Sequence, residues 1–70
     1  MGSRKAVDAL LETLNDSNPW VRRYAAEALA KIGDQKATAP LVKNLNDPDP
    51  EVRWATAEAL RVLESKIPAK

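Results

Sequence analysis

The sequence predicts an all-α chain, an α-solenoid fragment of two stacked helical hairpins with helices at about 4–15, 19–32, 35–46 and 50–66. Three observations predict it. The chain repeats itself after 31 residues: laying 5–32 over 36–63 gives 13 identities in 28 pairs, among them Leu10/Leu41, Leu14/Leu45, Asp16/Asp47, Pro19/Pro50, Val21/Val52, Arg22/Arg53 and Leu29/Leu60. A period between about 20 and 50 residues signals a stacked repeat whose single unit cannot bury its apolar face alone. Apolar residues also recur with helical periodicity in each segment, at i, i+3, i+4 and i+7 in the first, and no segment alternates at period two.

In the first segment Val7, Leu10, Leu11 and Leu14 form one stripe. Asn15-Asp16-Ser17-Asn18 is a turn cluster, in which Asn18 suits an N-cap and Pro19 the first helical position, where a missing N–H costs nothing. The second segment places Val21, Ala25, Ala28, Leu29 and Ile32 on one face, and its alanines favour helix and close helix approach. Gly33 provides a left-handed stop and Asp34 the next cap.

The third segment repeats the first with Leu41, Val42 and Leu45, but Pro40 stands where the first copy has Ala9. An interior proline loses a hydrogen bond and clashes with the preceding turn, so a kink or a late start is expected. Asp47-Pro48-Asp49-Pro50 is a strong turn with Asp49 as cap. The fourth segment aligns Val52, Thr56, Ala59, Leu60 and Leu63; Glu64 replaces the glycine stop, so this helix should run to about Lys66, before Ile67-Pro68. Residues 1–3 read as a start plus cloning residues, 4–34 and 35–67 as the two repeats, and 68–70 as a tail.

Composition narrows the function. With no Cys and no His there is no disulfide, thiolate, catalytic triad or conventional zinc site, and two glycines form no phosphate loop. No cofactor or metal is expected, and the chain is read as not an enzyme. Residues 1–35 carry five basic and five acidic side chains, residues 36–70 six and five, so neither half is polybasic and nucleic-acid binding is disfavoured. Arg22, Arg23, Lys31, Arg53 and Arg61 would have to supply any such surface. Apolar runs fall far short of the ~20 residues that cross a bilayer. With no signal-peptide pattern, a cytoplasmic location is expected.

The residues that carry the repeat resemble a known family. Pro19-Trp20-Val21-Arg22-Arg23, Ala25-Ala26-Glu27-Ala28-Leu29 and Ile32-Gly33-Asp34 resemble the short HEAT-like repeat, the variety first named from phycobilisome lyases and also used in engineered binding scaffolds. Pro50-Glu51-Val52-Arg53 and Ala57-Glu58-Ala59-Leu60 resemble it again, so the likeness extends from Arg4 to Leu63. It implies the solenoid fold strongly and function only weakly, because the repeat serves unrelated tasks. Neither copy has the pattern of a capping repeat, and Arg61-Val62-Leu63-Glu64 departs from the small-residue and glycine ending. Two repeats are fewer than the roughly three a solenoid needs.

The resemblance also assigns roles. Asp16, Arg22, Asp47 and Arg53 correspond to a structural ladder linking the inter-helix turns of adjacent repeats; anion recognition by the arginines is the alternative. In related proteins the second helices line a concave binding surface, which here would carry Trp20, Arg23, Tyr24, Glu27 and Lys31, then Glu51, Trp54, Ala55, Glu58 and Val62. Trp20, Tyr24 and Trp54 are the only aromatics, and aromatics with Arg are enriched at interface hot spots. They could instead simply cover alanine-rich helices. Glu27 and Glu58 could be imagined as acid–base partners but are better read as locally paired surface positions. The expected function is a non-enzymatic protein-interaction or structural module with protein as partner. A homo-oligomer is expected, formed through uncapped ends or the aromatic face, with an engineered or truncated repeat chain lacking a natural ligand and a nucleic-acid module as alternatives.

Overall fold

The computed structural model describes residues 2–65, with side chains from Lys5 onward. Its order is α1 (Gly2–Thr13), α2 (Pro19–Ile32), a 3-10 turn (Gln35–Ala37), α3 (Thr38–Asn44) and α4 (Pro50–Ser65). The expected roles of residue 1 and of 66–70, including the stop at Ile67-Pro68, lie outside the described residues. Among the described residues no helix is long and apolar enough to cross a membrane.

Each boundary has a local cause. Asn18 Oδ1 accepts the Trp20 N–H at 2.9 Å with Pro19 at the first helical position, satisfying a donor that α2 leaves orphaned. Gly33 ends α2 at φ 77°, its N–H returning to Leu29 O at 3.0 Å. Asp49 Oδ1 takes the Glu51 N–H at 2.8 Å and opens α4, and with glutamate in place of a glycine stop α4 continues to Ser65.

The third helix corrects the expected 35–46 span. Asp34 Oδ1 binds the Lys36 N–H at 2.8 Å and caps a 3-10 turn, and α3 begins only at Thr38. Pro40 thereby falls in the first turn of α3, where its absent N–H has no intrahelical role. The Asp34-capped 3-10 turn and the proline together account for the late start, which leaves α3 only 7 residues long.

The two hairpins lie side by side, with α2 against α4 as the principal junction. Arg23 in the first turns of α2 meets Glu51 in the first turn of α4, and Gln35 Nε2, just past the end of α2, donates to Leu63 O near the end of α4 at 2.8 Å, so the two helices run in the same direction. The core joins Val7 and Leu14 of α1, Ala25, Ala26, Leu29 and Ala30 of α2, Ala37 and Leu41, and Ala55, Ala59 and Leu63 of α4. Alanines dominate the α2–α4 seam, which permits the close approach of the two helices.

The apolar stripes need correction at one side of the stack. Leu14 is 2% exposed, whereas its counterpart Leu45 is 38% exposed, and Val42, counterpart of half-buried Leu11, is 49% exposed. Ile32, placed on the stripe of α2 from the sequence, is likewise exposed, while Ala26 and Ala30 are buried in its stead. For Leu11, Leu14 and Ala26 the cause is stacking, since α3 and α4 cover them while Val42, Leu45 and Ala57 face outward; Ile32 runs the other way, exposed where its α4 equivalent Leu63 is buried. Ala55, expected on the binding surface, is 1% exposed in the α2–α4 seam. Thr56 is fully buried and its hydroxyl has no hydrogen-bond partner among the described residues.

Candidate interaction surfaces

Of the residues expected to form a ladder, Asp16 and Asp47 lie in the α1–α2 and α3–α4 turns, and Arg22 and Arg53 near the starts of α2 and α4. Each turn is closed by an aspartate: Asp16 Oδ1 accepts the Asn18 N–H at 2.8 Å, and Asp47 Oδ1 the Asp49 N–H at 2.9 Å. Arg22 ties the turns together. Its Nη1 donates to Asp16 O at 2.7 Å, while Nε and Nη2 fork onto the Asp47 carboxylate at 2.7 and 3.0 Å. Bidentate geometry of this kind fixes both partners in orientation as well as charge.

Burial by itself would raise the Asp47 carboxyl, but the Arg22 hydrogen bond, the Asp49 N–H and the nearby Arg22 and Arg53 charges outweigh it. The group sits below its ordinary value. The same hydrogen bond, donated by Arg22 to Asp47, acts the other way on Arg22 and, against some desolvation, raises it above its ordinary value. Arg53 repeats only half of the pattern, its Nη1 donating to Asp47 O at 2.7 Å and Pro48 O at 3.3 Å.

The aromatic residues stand on the exposed side of α2 and α4. Trp20 and Trp54 are 71% and 62% exposed, and Tyr24 is exposed beside them in sequence. The Arg23 guanidinium lies 5.2 Å from the Trp20 ring centroid and bonds both Glu51 and, at 3.5 Å, Glu27. A shallow cleft of about 250 Å³ is lined by Pro19, Trp20, Arg23, Asp49 and Glu51. A second depression, lined by Arg23, Pro50, Glu51 and Trp54, shares the Arg23–Glu51 pair. The two depressions adjoin at that ion pair, with Trp20 lining one and Trp54 the other. Glu58 pairs with Arg61 at 3.7 Å; Val62 is exposed near that pair, and Lys31 is exposed on α2.

Three inter-hairpin contacts were not read from the sequence: Lys36 Nζ to Asp8 Oδ1 at 2.8 Å, Asn44 Nδ2 to Leu14 O at 3.2 Å, and Arg23 to Glu51. A signal for two of them exists. Asp8/Lys36 and Arg23/Glu51 are both 28 residues apart, the repeat period less one helical turn, and both bring opposite charges together.

No curated protein matches the chain significantly. The family model described as HEAT repeats matches residues 1–61, almost the whole two-hairpin stack and both copies of the Asp–Arg pattern. The chain therefore belongs to the HEAT-repeat family.

Proposed function

We propose that the chain is a non-enzymatic interaction module whose partner is protein, and that a second copy of the chain is among its partners. HEAT repeats generally mediate protein–protein interaction. The observation that carries the narrower reading is the unequal burial of equivalent residues: Leu14 and Ala26 are covered, Leu45 and Ala57 are not. Contiguous exposed apolar surface marks association sites. The two depressions lined by Trp20, Arg23, Glu51 and Trp54, with Glu27, Lys31, Glu58 and Val62 on the same two helices, supply indole and arginine anchors of the type that dominate interface energetics, and exposed Tyr24 lies beside them. Glu27 and Glu58 are engaged in ion pairs with Arg23 and Arg61, which supports a surface role for them over acid–base work.

Light scattering over micromolar to millimolar concentration tests the reading. Mass rising with concentration supports it, and a folded chain of constant 7.7 kDa mass refutes the self-association. Trp54→Ala separates surface from fold: association should weaken while the helical signal is retained.

A further inference from the structure

We infer that copies of this chain join head to tail, the outer face of α3–α4 in one copy meeting the outer face of α1–α2 in the next. The register is the one the two hairpins already use within the chain. The inference rests on the proposed self-association and gives it a geometry.

The internal junction is the template. Its central rung is Arg22 forked onto Asp47. Each outer face holds one half of the same rung. Arg53 keeps the backbone bond that Arg22 makes, yet among the described residues no carboxylate pairs with its guanidinium. Asp16 keeps the turn geometry of Asp47, and among the described residues no arginine pairs with its carboxylate. One period beyond Asp47 is the position that Asp16 of a following copy would occupy, in reach of Arg53. Apolar complementarity runs the same way, since Val42 and Leu45 hold the positions of Leu11 and Leu14, which the internal stack covers.

Head-to-tail pairing is favoured over a two-fold arrangement by charge. A two-fold contact through α3–α4 would set Arg53 near its own copy and leave Asp16 unused, whereas a heterologous contact pairs them. Two substitutions loosen the contact relative to the internal one. Tyr24 stands where the internal seam has buried Ala55, and Arg61 where it has buried Ala30, so the helices cannot approach as closely. The same register replaces the Arg23–Glu51 contact by Trp54 of one copy against Trp20 of the next, so both exposed indoles become covered.

Sedimentation velocity on the full chain with Asp16→Arg and Arg53→Glu, each checked for helical content, tests the geometry. Each variant alone should lose association by more than about tenfold, because like charges then face each other across the junction. An equimolar mixture should recover it, since each reversed position meets an opposite charge. Arg53 also holds its own turn, so Val42→Glu serves as a second variant. Val42 makes no side-chain hydrogen bond and is half exposed; its replacement should keep the fold and lose association by a similar factor. Tryptophan emission of the wild type should shift to shorter wavelength as association proceeds. Asp16→Arg associating like the wild type, folded variants failing to recover on mixing, or Val42→Glu associating unchanged would each overturn head-to-tail pairing. A wild type that stays monomeric would instead remove the self-association reading beneath it.

Discussion

Leu14 and Leu45 occupy the same repeat position, and truncating each to alanine should expose how much of the stack rests on neighbouring hairpins. Leu14 is 2% exposed and Leu45 38% exposed. Fully burying a leucine is worth about 1.5–3 kcal/mol in transfer alone. Deleting such a side chain from a closed site adds a cavity term, and measured losses run about 2.7–5 kcal/mol. Leu14→Ala should therefore cost about 3 kcal/mol. At Leu45 a smaller covered area is lost and water fills the gap, so the cost should be about 1 kcal/mol. A domain of this size holds only about 3–5 kcal/mol in total, so Leu14→Ala should lie near the threshold of folding. Urea unfolding followed by far-UV circular dichroism at micromolar concentration reads both, with the midpoint shifting and the slope preserved. Equal losses at the two positions, or a larger loss at Leu45, would refute the assignment of inner and outer faces. Raising the concentration should increase the cost of Leu45→Ala selectively, since the proposed association would cover that side chain.

Other perturbations follow from single features. Thr56→Val removes a buried hydroxyl without a partner and should stabilise the fold by about 1 kcal/mol in the same denaturation assay. Gly33→Ala forces a side chain into the left-handed region at φ 77° and should cost about 1–2 kcal/mol. The Asp47 carboxyl is held below its usual value of about 3.9, so its contribution is fully present above that pH and is lost as pH falls through the lower folded value. Asp47→Asn should accordingly lower stability at neutral pH and flatten the acid limb of a stability–pH profile below about pH 4. Tyr24→Ala restores the residue type of the internal seam and should strengthen association, read as a lower concentration for half-assembly in sedimentation.

Much of this architecture is written in the 31-residue period, but not all of it to the same depth. Asn18-Pro19, Gly33 and Asp49-Pro50 determine helix boundaries by local chemistry, so α2 begins and ends where the sequence places it. The 3-10 turn before α3 is less legible, because Asp34 and Pro40 each restrict the segment and only together delay the helix to Thr38. Burial faces are harder still. In α2 and α4 alanine occupies several sides of each helix, and hydrophobic contrast cannot say which alanines face a neighbour. Ala26, Ala30 and Ala55 are buried by the side-by-side packing of α2 and α4, a property of the pair rather than of either helix.

The residues of the proposed interaction surface divide in the same manner. The exposure of Trp20, Tyr24 and Trp54 was legible because they lie off the apolar stripes. The Arg23–Glu51 contact between two of them was not, because it joins separate repeats. The Asp16, Arg22, Asp47 and Arg53 pattern was visible as a repeated motif. Its unequal completion, with Arg22 forked onto a carboxylate and Arg53 only on backbone oxygens, required the three-dimensional stack.

The most direct test of the central claim is a dilution series followed by amide chemical shifts. If copies stack through two complementary faces, shifts should move with concentration in two separate groups. One would include Val42, Leu45, Arg53 and Ala57, the other Asp16, Trp20 and Ala28, both with the same concentration dependence. Shifts that stay constant across the series, or that move in only one of the two groups, would contradict it.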